Sequence, residues 1–447
     1  MKKNVSDTIF SLATLPGRSG VAVIRVSGPQ AIEIARQITG RDHFKPRHTS
    51  LSTFMSCDGG AIDEGLLIFM PGPSSFTGED CVEFQIHGSL AVIEGMSVAL
   101  HGLGARQAEA GEFTRRAFVN GRLDLTEAEG LADLIDAETE SQRRQALRQM
   151  QGGLKDRYEQ WRESLLDGLA QIEGEIDFSD EADVPDSLAH TAEAPLKVLL
   201  EDMIEALSEF QRGERVRQGL EIAIIGAPNA GKSSVVNYLA KRDVAIVTDI
   251  AGTTRDILET NFDIGGLPVR VSDTAGLRDS QDVIEAEGIK RGLARATESD
   301  LRILVHDGQS SRFDKQSLSV LEDGDIILVN KSDLSPSHQL PTPNRLSLFS
   351  VSVKSGAGFD EFNSYLEKTV IERFSPSQNA GLTRARHRDC VSRSAESIKR
   401  SIVALGLAPE LAGDDLRSAL QALSELAGET DIEAVFDRIF SRFCVGK

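Results

Sequence analysis

Cysteine is scarce in this chain of 447 residues: Cys57, Cys81, Cys390 and Cys444 lie far apart, with no C-x-x-C pair. That argues against a disulfide scaffold or a zinc site and fits the reducing cytoplasm. Long apolar runs are also missing. None approaches the roughly 18–20 residues of a membrane span, so no span is expected. The first twenty residues carry two lysines but no sustained apolar core, so no secretory signal is predicted. Positive charge is in deficit: 49 Lys and Arg stand against 69 Asp and Glu, a net charge of −20. Broad non-specific nucleic-acid binding is thereby disfavoured, although RNA can still be held by a local basic patch. The remaining composition, 40% apolar and 26% charged, is that of a globular protein. The length predicts about two to four domains.

One stretch carries the most specific chemistry. The apolar run Ile222 to Ile225 breaks at Gly226. Asn229, Ala230, Gly231, Lys232, Ser233 and Ser234 follow, and an apolar helical pattern begins at Val235. Strand, glycine-rich turn and helix with G-x-x-x-x-G-K-S spacing make a P-loop. The glycines let backbone N–H groups converge on phosphate oxygens at a helix N-terminus. Lys232 would neutralise β/γ oxygens, and Ser233 would offer its hydroxyl to Mg2+. Three later stretches specify guanine. Asp273, Thr274, Ala275 and Gly276 follow an apolar strand and suit Mg2+ and γ-phosphate contacts. Asn330, Lys331, Ser332 and Asp333 follow another, and the Asp carboxylate can accept both donors of a guanine edge. Adenine would leave that carboxylate unpaired. Ser352, Val353 and Lys354 would close over the base.

The flanking chain reads as three further parts. Residues 1–118 mix short strands (Val21 to Val26, Leu66 to Met70, Val82 to Ile86) with helices over Ala31 to Ile38 and Leu90 to Leu100, an α+β domain. From 119 to 216 the period is helical. Thr126 and Glu129 have capping-box spacing. Leu154, Tyr158, Trp161, Leu165, Leu169, Ile172 and Ile176 form one apolar stripe, and Gly152-Gly153 is placed to bend or divide the helix. A second stripe runs from Leu196 to Phe210. Residues 217–375 alternate strand and helix as a doubly wound sheet does. From 376 to 447 helices return: a basic one over 384–405, one marked by Leu416 to Leu426, and one over Ile432 to Phe440. The economical reading is one discontinuous helical domain into which the GTPase domain is inserted; two separate helical domains are the alternative. In the basic helix, Arg384, Arg386, His387, Arg388, Arg393, Lys399 and Arg400 offer either a local RNA contact or a solvated face answering the acidic loop near Asp180.

The chemistry departs from a simple switch. The position after D-x-x-G, where Ras-type proteins carry a water-orienting glutamine, holds Leu277. Among Asp279, Asp282, Glu285 and Glu287, one carboxylate can serve instead, or the loop is simply acidic and solvated. The preceding switch contains Thr248, Asp249, Ile250, Ala251, Gly252, Thr253 and Thr254, with Thr254 placed as a Mg2+ ligand. Arg255 is a finger in cis or a structural ion-pair partner. The closing Cys444-Val445-Gly446-Lys447 is not a prenylation box. Its thiol is either reactive or merely packed or exposed.

Taken together, these pieces resemble the bacterial tRNA-uridine-modification GTPases called MnmE or TrmE, over essentially the whole chain. Besides the four GTPase motifs, the resemblance rests on Ala13 to Gly20 (ATLPGRSG), Phe76 to Asp80 (FTGED), Gly111 to Thr114 (GEFT), Arg116 to Gly121 (RAFVNG) and the terminal C-x-G-K. It implies a multidomain α+β and α/β fold: an N-terminal α+β folate-binding domain, a discontinuous helical domain and an inserted Ras-like P-loop GTPase domain. It implies a homodimer built through the N-terminal domains and a 5-formyl- or methylene-tetrahydrofolate as one-carbon donor. It also implies an FAD-dependent partner, MnmG/GidA, with which an aminomethyl or carboxymethylaminomethyl group is built on carbon 5 of the wobble uridine of certain tRNAs. GTP hydrolysis with Mg2+ and K+ would drive the cycle. Position by position, Asn229, Thr248, Ile250 and Thr253 match the potassium setting, and Glu285 matches the general base. Arg25, Glu83, Arg122 and Lys447 match the folate site, and Cys444 the thiol suspected in the family. Arg122 stands where many members have Lys, and the two are not interchangeable. Val353 replaces the usual Ala of the base-closing motif. Two rival readings remain: a ribosome-assembly or regulatory switch of the Era/Der type, and an N-terminal domain that is only a dimerisation scaffold. Against the first, the chain has neither a second P-loop nor a G-x-x-G RNA-clamp context.

Overall fold

The computed structural model describes residues 7–177, 188–242, 259–273, 293–334, 345–375, 381–429, 439–440, 443 and 446. The first sheet contains β1 (Ile9–Leu12), β2 (Ser19–Ser27), β3 (Thr49–Met55), β4 (Ala61–Met70), β5 (Cys81–Gly88) and β6 (Arg106–Gln107), in the order β3-β4-β5-β2-β1-β6. All its pairings are antiparallel except β1 with β6. Alternation along β5 buries Val82, Phe84 and Ile86 and leaves Glu83 and Gln85 half-buried, as expected of a sheet with one core face. Helices Ala31–Thr39 and Leu90–Gly102 pack Ile34, Ile38, Met96 and Leu100 onto that face, against Phe10, Phe54 and Phe84.

The helical part has a single core drawn from both sides of the GTPase insertion. Leu154, Tyr158, Trp161, Leu165 and Ile172 of Gly153–Asp177 and Leu196, Met203 and Phe210 of Glu193–Gln218 share it with Val391 and Ile398 of Ala385–Ala404 and Leu416 and Leu423 of Pro409–Ala427. The stripe read from the sequence is thus the buried one, and the helical domain is discontinuous. Gly152, at φ 90°, divides helix Glu140–Met150 from Gly153–Asp177. The capping box lies two residues earlier than Thr126 and Glu129 suggest. Asp124 caps helix Leu125–Ile135, accepting from Glu127 N at 2.8 Å, while Glu127 Oε2 accepts from Asp124 N at 2.7 Å. Asp124 has the extended backbone that an N-cap needs, whereas Thr126 is already inside the helix and buried. The helix expected over Ile432 to Phe440 lies almost wholly outside the described residues, as does the acidic loop near Asp180. No described helix is long and apolar enough to cross a membrane.

Insertion is possible because the two ends of the GTPase domain meet. Arg217 Nε donates to Thr383 O at 2.9 Å. Beside it, a Cβ on Gly213 would stand 2.5 Å from Leu382 O. The inserted sheet holds β7 (Leu220–Ile225), β8 (Glu259–Ile264), β9 (Leu267–Asp273), β10 (Leu301–Asp307), β11 (Ile326–Asn330) and β12 (Ser347–Ser350), in the order β12-β11-β10-β7-β9-β8. Only β8 runs antiparallel, in a hairpin with β9. Its central strands β7, β10 and β11 are almost wholly buried because both faces are covered. Ile222, Ile224 and Ile303 meet helices Lys232–Arg242 and Phe359–Phe374 on one side. Ala223, Ile225 and Leu304 pack with Ala296 on the other.

Candidate functional site

At the C-terminal ends of the parallel strands, where ligands of such sheets bind, the loop after β7 is shaped by backbone proximity. Gly226 has φ 144°, and a Cβ there would lie 2.2 Å from Val305 O. Gly231 has φ 100°, and a Cβ there would lie 2.3 Å from Asn330 Nδ2. Neither position admits a side chain. Asn229 adopts a left-handed backbone (φ 63°), a conformation that Asn tolerates better than most residues. The ammonium of Lys232 is folded over the loop, donating to Gly226 O at 2.9 Å and Ala227 O at 3.0 Å. That places a positive charge inside the cradle, where phosphate oxygens are the natural exchange partners for those carbonyls.

The guanine-reading stretches are tied to this loop directly. Asn330, buried at the end of β11, donates from Nδ2 to Ala230 O at 3.0 Å and accepts from Val353 N at 3.3 Å. Lys331 donates to Asn229 O at 3.0 Å and to Asp307 Oδ2 at 2.6 Å. Ser352 donates its hydroxyl to Asp333 Oδ1 at 2.6 Å, and this bond holds the Asp333 carboxyl below its usual range. The loop that carries Ser352 is a tight turn, with Gly356 N on Ser352 O at 2.8 Å and Ser352 N on Ala357 O at 3.0 Å. The loop after β7 and the turns after β11 and β12 therefore form one hydrogen-bonded unit that carries the Asp333 carboxylate. Asp273 closes β9 in register with Ile224, one strand over from the cradle. Thr248 through Thr254, Thr274, Ala275, Gly276 and Glu285 lie outside the described residues.

A second constellation sits on the first sheet. Arg25 and Glu83 are cross-strand partners on β2 and β5, with Nε–Oε1 at 3.0 Å and Nη2–Oε1 at 2.9 Å. The Arg25 guanidinium also lies over the rings of Phe76 (5.5 Å) and Phe113 (5.9 Å). Arg122 is exposed beside the Gly78 turn, where a Cβ would stand 3.3 Å from Arg122 Cγ. The far end of the chain comes to the same sheet: Gly446 is buried, and a Cβ on it would be 2.3 Å from Leu12 O at the end of β1. Leu12 pairs with Ile24, the neighbour of Arg25. Lys447 and Cys444 lie outside the described residues.

Two charge networks, one partly and one almost wholly buried, escaped the sequence reading. In the first, Arg116 joins Asp7 (2.6 Å), Glu79 (3.2 Å) and Glu112 (3.2 Å), while Arg106 holds Asp7 and Glu112 from the other side. The motifs F-T-G-E-D and G-E-F-T are thus partly a structural clasp. In the second, Glu129 accepts from Arg386 Nη2 at 2.9 Å and from His387 Nε2 at 2.7 Å, with Arg384 close by. Burial opposes the Glu129 carboxylate, but the Arg386 guanidinium and its neighbours hold its pKa far below the usual value. Burial lowers the His387 pKa despite Glu129. Its Nδ1 faces Thr383 N at 3.4 Å, so the ring is neutral and its Nε2–H donates to the carboxylate. The basic helix is therefore largely spoken for. Arg384 pairs with Asp133, Arg393 with Asp389 and Glu425, and Arg400 with Asp415, while Arg388 lies over Phe210. Its counter-charges come from the same helix (Asp389) and from neighbouring ones (Glu129, Asp133, Asp415, Glu425).

A parallel sheet whose first strand feeds a glycine-rich loop, with an N-K-x-D turn bolted to that loop, defines a P-loop GTPase domain. The family description "MnmE helical domain" matches residues 125–444, and "GTP-binding protein TrmE N-terminus" matches residues 8–122. The tRNA modification GTPase MnmE of Maricaulis maris is 50% identical over 443 residues, covering 99% of this chain and 100% of that protein. The protein of the same name from Caulobacter vibrioides is 46% identical over 449 residues, covering 99% and 100%. The chain belongs to the MnmE family. Among solved structures, the G domain of the T. maritima FeoB iron transporter aligns over 33% of this chain and 97% of that chain, with 22% identity and a TM-score of 0.24, and adds nothing to what the strand order shows.

Proposed function

We propose that this chain is a GTP hydrolase acting in tRNA modification. The observation that carries the reading is the hydrogen-bonded union of the glycine-rich loop with the N-K-x-D and Ser352 turns, in a chain alike from end to end to tRNA modification GTPases. Lys232 and Ser233 would face the phosphates and their Mg2+, which supplies the Lewis-acid charge of the transfer. The chain's own groups orient the nucleotide: the Asp333 carboxylate at the base and the Asn330 amide between base loop and cradle. We assign Asn229, Thr248, Ile250 and Thr253 to a potassium ion that offsets transition-state charge as an arginine finger does. Glu285 orients the attacking water in place of the absent glutamine.

The finer reading extends to a cytoplasmic homodimer that works with an MnmG/GidA-type flavoprotein and takes its one-carbon unit from a tetrahydrofolate. Arg25, Glu83 and Arg122 suit the polar and anionic parts of a folate, and the approach of Gly446 to Leu12 supports a role for Lys447 and Cys444 beside them. We place the domain boundaries at 1–118, 119–216, 217–375 and 376–447. The test is GTP turnover in KCl and NaCl for the parent, Glu285→Ala and Asn229→Ala. Glu285→Ala should lose about 10²–10⁴ in rate with nucleotide binding intact. Asn229→Ala should lose only the potassium stimulation. Near-normal turnover in Glu285→Ala sinks the water-orienting assignment, and equal parental rates in the two salts sink the potassium assignment.

A further inference from the structure

A chain with net charge −20 that acts on tRNA needs a place where phosphates are welcome. At the basic helix Ala385–Ala404, Arg384, Arg386, Arg393 and Arg400 each face a carboxylate, which competes with phosphate for them. The segment 36–48 differs. Four of its thirteen residues are Arg or Lys (Arg36, Arg41, Lys45 and Arg47) against one acid, Asp42, and His43 and His48 add two titratable rings. From 41 to 48 every residue is exposed except Phe44, whose ring is sunk in the core of the first sheet.

The segment is built, not slack. Gly40 ends helix Ala31–Thr39 in a left-handed cap. Phe44 anchors the middle. Arg47, at φ 59°, donates its N–H to Phe69 O at 2.8 Å, and His48 N closes a turn on Lys45 O at 3.3 Å. The cations are oriented mainly by backbone carbonyls: Arg36 Nε on Asp42 O at 2.9 Å, Arg41 Nη2 on Leu51 O at 2.6 Å and Arg47 Nη2 on Ser74 O at 2.5 Å. A carbonyl fixes a guanidinium without cancelling its charge, and it leaves the outer N–H groups of the fork free to donate. Among the described residues only Arg36 has a carboxylate, Glu33 at 3.3 Å, and both side chains are well exposed, so that pair is weak.

We propose that this surface, from Arg36 through Arg41 and Lys45 to Arg47, is where the protein holds the phosphate backbone of its tRNA. The inference rests on the tRNA reading above and adds the place of contact. Its ligand is a run of phosphates, read for position rather than base sequence.

Binding of fluorescent unmodified tRNA to the full chain, by anisotropy across a KCl series, tests it. Lys45→Glu is the first variant, because the described contacts give its ammonium no partner within the fold. Arg41→Glu with Lys45→Glu is the second. Lys45→Glu should weaken binding about threefold to tenfold and flatten the log–log salt slope by roughly one, and the double variant by roughly two. GTP turnover without tRNA should stay at the parental rate in both. Parental affinity and slope in both variants overturn the assignment and leave the tRNA reading standing. A parent that fails to retain tRNA at low salt overturns both.

Discussion

Replacing Glu129 by Gln keeps the shape of the side chain and removes the charge around which the two helical blocks close. The carboxylate is about 3% exposed and His387 is fully buried, while Arg384 and Arg386 keep about a fifth of their side-chain surface in water. Removing one partner of a buried pair costs about 3–5 kcal/mol. Partial wetting of both guanidiniums puts this case near the lower end, at about 3 kcal/mol. With a urea dependence of about 2–3 kcal/mol per molar, the unfolding midpoint of the helical domain should fall by roughly 1–1.5 M. The chain supplies its own probe. Trp161 is the single tryptophan, buried in the helical core with its indole N–H on Asp202, so its fluorescence follows this domain and not the GTPase insert. The pH dependence checks the cause. Glu129 has a depressed folded pKa, so its contribution is complete above the ordinary value of 4.5 and is lost as pH falls toward the folded one. The gap between parent and variant should therefore be constant from pH 8 to about 5 and should close below. A midpoint shift under about 0.3 M would refute the energetic role. A gap that widens from pH 7 to 6 would mean that His387 is charged in the fold, contrary to the lowered pKa its burial produces.

Two further outcomes concern the nucleotide site. Asp333→Asn should move preference from guanine toward xanthine nucleotides, because an amide donates where the carboxylate only accepts; competition binding with GDP and XDP reads it, and unchanged guanine preference counts against the pocket. Tyr238, on the helix after the phosphate loop, stacks on Phe359 at 3.9 Å between ring centroids and 28° between planes, just behind the base-closing turn. An aromatic pair of that kind is worth about 0.5–1.5 kcal/mol, so Tyr238→Ala should speed GDP release roughly twofold to tenfold while Tyr238→Phe should not; equal release from all three would remove the stack from the site.

What was legible in the sequence was local. The P-loop, the N-K-x-D turn and the apolar stripes of the long helices follow from spacing within a few residues, and each is found in the fold as read. The capping box was misplaced because Asp124 and Thr126 are both good caps, and only the backbone at 124 shows which one the helix uses. The charge networks were not legible because their members come from distant parts of the chain. Asp7 and Arg116 stand 109 residues apart, and Glu129 and His387 stand 258 apart. A run of arginines announces positive charge but not the carboxylates that will meet it, so helix Ala385–Ala404 and loop 41–48 look alike until their partners are seen. The glutamines of helix Glu140–Met150 were equally illegible, because their partners also lie far off in the sequence. All three, Gln142, Gln145 and Gln149, reach backbone or side-chain partners far away in the chain.

Those glutamines tie the helical domain to both ends of the inserted domain. Gln142, Gln145 and Gln149 lie three and four residues apart, on one face of the helix. Gln142 Nε2 donates to Arg217 O at 3.2 Å and Gln145 Nε2 to Gly213 O at 2.9 Å, gripping the helix from which the GTPase domain departs. Gln149 donates to Thr126 O at 2.9 Å and accepts from Thr383 Oγ1 at 3.0 Å, gripping the strap by which it returns. At the N-terminus of the same helix, Ser141 N donates to Gly266 O at 3.2 Å, at the tip of the β8–β9 hairpin. Strand β9 runs from that tip to Asp273 beside the phosphate cradle. One helix thus touches the exit, the return and the far end of the strand that leads to the nucleotide. Amide-to-carbonyl contacts are directional and, once buried, costly to leave unpaired. A displacement of β9 on nucleotide exchange must therefore either break Ser141 from Gly266 or carry the glutamine helix with it, and that helix leads through Thr383 to the His387–Glu129 clasp.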